Sequence, residues 1–175
     1  MERFDITRSN TKLISSVDQP IYMIPYLTAQ ARNGLVNLSS ASFSITLAST
    51  IVCRITNIST RSMTSVESIF INSSTSLNYS IIRNGSLTGT LIGQPVYNAN
   101  DAFPASSATT VSSASAVAGL SVSGGNTLLQ QIALPNVFNP VSITPILIKP
   151  GSSLYFYSAG LVSVSVTINV AFTEY

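Results

Sequence analysis

The sequence predicts an all-β fold: an antiparallel β-sandwich, jelly-roll-like, with an extended N-terminal arm. Three observations predict it. Apolar and hydroxyl-bearing residues alternate over two long stretches, the period of a strand with one face in a core. Short β-branched runs are separated by turn pairs such as Asn84-Gly85 and Pro150-Gly151. No segment carries a convincing 3.6-residue period. A chain of 175 residues suits one domain, or one domain with an arm, and is long enough to bury a sizeable core.

The elements follow in chain order. Residues 1–18 carry Glu2, Arg3, Asp5, Arg8, Lys12 and Asp18, whereas only Lys149 and Glu174 are charged after residue 101. The stretch Pro20-Ile21-Tyr22-Met23-Ile24-Pro25-Tyr26-Leu27 holds two prolines, which argue against helix and against a central strand. Residues 1–40 therefore read as an arm or peripheral strands, and 41–175 as the sandwich. In 43–55, Phe43, Ile45, Leu47, Ile51, Cys53 and Ile55 share one parity, with a bend or bulge expected at Ala48-Ser49. Val66 to Ile71 is a short strand. Leu77 to about residue 92 reads as a hairpin about Asn84-Gly85, the preferred type I′ pair. Residues 102–126 are nearly all Ala, Ser, Thr, Val and Gly. They read as a long loop, or as an ordered excursion packed on a neighbouring subunit. Leu128 to Leu134 is a strand, and Pro145 to Ile148 and Leu154 to Tyr157 flank the Pro150-Gly151 turn. Val162, Val164, Val166, Ile168, Val170 and Phe172 alternate with polar neighbours in a last, long strand.

Composition excludes several functions. Charged residues make up 8% of the chain, against about a quarter in average proteins. The polar surface comes instead from 30 Ser, 17 Thr and 13 Asn. Eight scattered basic residues, offset by six acidic ones, make no phosphate-neutralising patch, so no nucleic-acid partner is expected. No apolar run reaches membrane-spanning length, and no membrane partner is expected. Histidine is absent, which removes the commonest general base and metal ligand. The start has no apolar signal-peptide core, so the five Asn-x-Ser/Thr sequons at Asn37, Asn57, Asn72, Asn78 and Asn84 are not expected to carry glycans.

The search for chemistry yields no catalytic, cofactor-binding or metal-binding set, and the chain is expected not to be an enzyme. Cys53, the only cysteine, shares strand parity with Ile51 and Ile55 and reads as a small buried residue. Six carboxylates are spread along the chain; Glu67 and Asp101 are expected to be separate surface charges. Gly124-Gly125 is a turn pair, since no Gly-Lys-Ser/Thr follows it. Tyr155 and Tyr157 share one strand face and Leu154 and Phe156 the other. Such a strand needs a cover on each side, either a loop of its own chain or an interface.

Five stretches together resemble a known group: Ile51-Val52-Cys53-Arg54-Ile55-Thr56-Asn57, Leu77-Asn78-Tyr79-Ser80-Ile81, Leu128 to Pro135, Ile146 to Phe156 with its Pro150-Gly151-Ser152 turn, and the last alternating strand. They resemble small β-sandwich structural proteins of tailed-phage virions. The resemblance covers about 50–175, with 102–126 unmatched. It implies a capsid decoration (cement) or auxiliary subunit located in the virion, assembled as a homo-oligomer, with a trimer expected. Its implied partners are copies of itself and the major capsid protein or another virion protein, gripped by an extended arm. The alternative is a ligand- or carbohydrate-binding module of a fibre or adhesin.

Overall fold

A computed structural model describes residues 11–16, 19–105, 108–141 and 145–175, with side chains described from residue 28 onward. Most of the expected charged start (Glu2, Arg3, Asp5, Arg8) and Asp18 lie outside the described residues. Among the described residues the regular structure is nearly all strand, in antiparallel sheets packed face to face.

Two strands, β1 (Thr11–Ser16) and β2 (Gln19–Pro25), pair with each other as a separate two-stranded sheet. A short helix, α1 (Tyr26–Arg32), follows at once, where the sequence had suggested only extended chain. Seven residues are too few to display a helical period. The helix starts just past Pro25 and ends at Asn33-Gly34, where Gly34 adopts φ 69° and its N–H donates to the Ala31 carbonyl at 3.0 Å. The Phe103 ring packs where a β-carbon at Gly34 would sit, so only glycine fits.

The sandwich begins earlier than residue 41. Strand β3 (Val36–Ile45) pairs along its whole length with β16 (Val164–Glu174), so a boundary at 40 falls inside a strand. The parity stretch 43–55 is not one bent strand. The chain leaves β3 after Ile45, exposes Leu47, and starts β4 (Ser49–Asn57) in the opposite sheet. The bend expected at Ala48-Ser49 is thus a crossing between layers. Next come β5 (Thr64–Ser73), β6 (Leu77–Arg83), β7 (Ser86–Thr88), β8 (Ile92–Gln94) and β9 (Val96–Asn98). Then follow β10 (Thr109–Ala116), β11 (Ser121–Ser123), β12 (Asn126–Ala133), β13 (Asn139–Pro140), β14 (Ile146–Ile148) and β15 (Ser153–Leu161).

The front sheet runs β12-β6-β15-β4-β10-β8 and the back sheet β13-β5-β16-β3-β9, with β14 also on β5. Between them lies one core. Ile51, Cys53 and Ile55 of β4, Leu154 and Phe156 of β15, and Tyr79 and Ile81 of β6 meet Val166, Ile168, Val170 and Phe172 of β16. The alternation of the last strand is therefore the core face itself; Val162, just before it, is exposed. In β5 the parity slips. A bulge at Glu67, between Val66 and Ser68, lets both Val66 and Ile69 face inward.

Two expectations fail in the middle of the chain. First, β6 and β7 do not fold on each other. They continue through Asn84-Gly85 as one bent strand, and β11–β12 runs antiparallel beside it through Gly124-Gly125. Asn84 has φ 54° but Gly85 is not in the left-handed region, so the pair is no type I′ turn. The bend needs glycines for space: a β-carbon on Gly85 would meet Val122, and one on Gly125 would meet the Arg83 carbonyl. Second, the described part of the stretch 102–126 is not one long loop. It supplies β10, which pairs β4 over eight residues, and β11.

Candidate functional surface

The two outer faces of the sandwich are treated differently. On the front sheet, Val52, Ile82, Tyr155 and Tyr157 form a second apolar cluster, covered by Leu87 of β7 and by Leu120 and Val122 on the β11 side. Tyr155 is 4% exposed. Of the two covers expected for the tyrosine strand, the chain supplies one itself, its own bent ladder.

The back sheet has no such cover among the described residues. Its outer face takes the alternate positions of the core strands: Ser40, Ser42 and Ser44 of β3, Ser68 and Phe70 of β5, and Ser165, Thr167, Asn169 and Ala171 of β16. Across the central pair, Ser42 and Thr167 hydroxyls lie 3.1 Å apart. Near β9 this face deepens into a groove of about 450 Å³, lined by Leu38, Ser40, Ser68, Phe70, Pro95, Tyr97, Asn169 and Ala171. Pro95 and Tyr97 come from the short strand β9 and its lead-in, tied down where Ser39 Oγ donates to the Pro95 carbonyl at 2.8 Å. Leu38, Phe70 and Tyr97 are exposed, Tyr97 at 63%.

No lining residue is charged. Covering the groove with a partner's apolar surface therefore desolvates no ion, and each of the three large side chains, already partly buried, offers about 1 kcal/mol more on full burial. The lining's hydroxyls and the Asn169 amide leave hydrogen-bonding groups for a partner's backbone. A smaller cleft of about 270 Å³ at one end of the sandwich gathers Arg83, Lys149, Asn84 and Ser152. There Arg83 Nη2 donates to the Leu147 carbonyl at 3.2 Å.

The residues singled out in the sequence fall elsewhere. Cys53 is 2% exposed in the core, and burial pushes its thiol up to about 12. Glu67 accepts a hydrogen bond from the Thr173 hydroxyl at 2.7 Å, and Asp101 lies exposed in the turn after β9. Among the described residues no three His, Cys, Asp or Glu side chains gather as a metal site. Asn37 and Asn57 are buried, while Asn72, Asn78 and Asn84 are exposed. Asn57 is a structural pin. Its Nδ2 donates to the Ser62 and Ile148 carbonyls at 2.8 and 3.0 Å, and its Oδ1 accepts from the Ser59 N–H at 2.9 Å.

The groove itself was missed. One signal was legible: Phe70, between Ile69 and Ile71, makes both faces of β5 apolar, as Tyr155 and Tyr157 do for β15. Comparison with protein-family models, with curated proteins and with solved structures finds no match.

Proposed function

We propose that this chain is a non-enzymatic structural subunit of a tailed-phage virion, a decoration or auxiliary protein that assembles by docking uncharged surfaces on other protein subunits. The groove on the back sheet carries this reading: a wide, open, apolar and hydroxyl-lined face with three exposed large side chains and no charge. The separate β1–β2 hairpin supports it too. An isolated two-stranded hairpin is marginal in water, so it gains stability from whatever it lies against. We read the strand order as jelly-roll-like: β3-β16-β5-β13 faces β4-β15-β6-β12, and the steps β3 to β4, β5 to β6 and β15 to β16 each change sheet. That winding suits the resemblance of residues 50–175 to virion sandwiches. Homo-oligomers, a trimer among them, and the major capsid protein are the partners this setting supplies.

A second reading has its own observation. Tyr97 and Phe70 present rings beside Ser68 and Asn169, a combination able to stack on a sugar and bond its hydroxyls. The test of the first reading is co-sedimentation of the full chain with particles that lack it. Leu38→Lys and Tyr97→Lys place charges in the groove, and loss of pelleting with an unchanged melt is the expected result. Retention on immobilised glycans with no pelleting favours the sugar-binding module.

A further inference from the structure

A second surface lies at the other side of the sandwich. Strand β12 is the edge of the front sheet. Edge strands are usually guarded by lysine, proline or inward charge, because their free backbone groups recruit other strands. Asn126–Ala133 has none: it reads Asn-Thr-Leu-Leu-Gln-Gln-Ile-Ala, and all but Leu129 and Ala133 are exposed. Its one guard is a bulge at Leu128, beyond which Leu129–Ala133 stay in register with β6. Directly after β12, the chain crosses this edge to β13 in a loop that exposes Leu134, Val137 and Phe138, the last at 71%. The loop is held in shape. Asn139 Nδ2 donates to the Leu134 and Val137 carbonyls, its Oδ1 accepts from the Leu134 N–H, and Asn136 N–H donates to the Ser73 carbonyl.

We infer that β12 pairs antiparallel with β12 of a second copy of this chain, joining the two front sheets through an isologous interface. The strand is self-complementary about Gln130: antiparallel pairing there sets Leu129 opposite Gln131 of the other copy and brings the bulged Leu128 toward its Ile132. Leu128, Ile132, Leu134, Val137 and Phe138 each offer on the order of 100 Å² of apolar surface. Two copies together reach about 1,000 Å², the lower end of what a specific interface buries. The inference rests on reading the chain as an assembling subunit, but it uses a different face from the groove.

The experiment is sedimentation velocity of the full chain over a concentration series, with Gln130→Lys beside the parent. Gln130 is exposed, so the substitution leaves the fold intact, and it sets two lysines against each other on the two-fold axis. The parent should dimerise, and the variant should dimerise about tenfold more weakly or worse. A second arm uses Gln130→Cys under mild oxidation. A disulfide-linked dimer is expected, with Cys53 buried and silent, and Asn72→Cys on the back sheet should give none. A parent that stays monomeric, or a dimer untouched by lysine at 130 and not linked by cysteine there, overturns the inference. Co-sedimentation with particles reads the docking function separately: a monomer that still pellets sinks only the β12 pairing, and a β12 dimer that does not pellet sinks only the docking.

Discussion

Asn57 shows how much one side chain can hold. Three hydrogen bonds from a fully buried amide close the turn after β4 onto the carbonyl of Ile148. Asn57→Ala leaves those groups unpaired in the interior, and chemical denaturation should show a loss of about 2–4 kcal/mol. The sequence marked this asparagine as a sequon and as the end of a strand, but not as a buried pin, because a hydrogen-bond knot between distant segments has no local pattern. Cys53 was legible, since strand parity alone placed it in the core. Its burial has a consequence for pH. An unfolded thiol ionises near 9.0, while the buried one keeps its proton up to about 12. The stabilisation is whole below 9.0 and is lost as pH rises through that window, by up to roughly 1.4 kcal/mol per pH unit. Tyr79, also raised by burial, acts in the same direction. Replacing the thiol in Cys53→Val removes its share, so the variant's melting midpoint should fall less steeply than the parent's above pH 9.0. Parallel declines would contradict this.

Elements with high contrast between faces were readable, and those without it were not. The last strand alternates Val, Ile and Phe with Ser, Thr and Asn, and its core face came out as expected. Val166→Asp puts a charge at a site 1% exposed between the sheets and should abolish soluble folding, at several kcal/mol. Thr167→Asp faces outward beside Ser42 and should fold, with a melting midpoint within a few degrees of the parent. Strand β10 was read as a loop because its buried positions include Thr109 and Ser113 as well as Val111, so hydropathy does not separate its faces. The Asn84-Gly85 pair misled for a related reason. A turn signature reports local backbone preference, while the partner strand, β11–β12, lies some forty residues on. The start of β3 matters for truncation. Removing residues 1–33 spares every strand of the sandwich, whereas removing 1–40 cuts half of β3 from beside β16. The shorter deletion should yield a folded domain by circular dichroism, and the longer one an insoluble or molten product.

At the scale of the molecule, a chain with few charges must keep two broad sheet faces from sticking indiscriminately. It covers one with its own bent ladder, and among the described residues the other stays open, neutral and rich in hydroxyls around Leu38, Phe70 and Tyr97. Composition had pointed to a neutral surface of Ser, Thr and Asn. Only the fold shows that three exposed apolar side chains meet in one groove, since Leu38, Phe70 and Tyr97 come from three strands far apart in sequence. Pelleting of the full chain with particles that lack it, compared with the Leu38→Lys/Tyr97→Lys double variant at matched thermal stability, tests the docking claim most directly. The parent should pellet with the particles and the variant should stay in the supernatant; equal partitioning of the two would contradict docking through the groove.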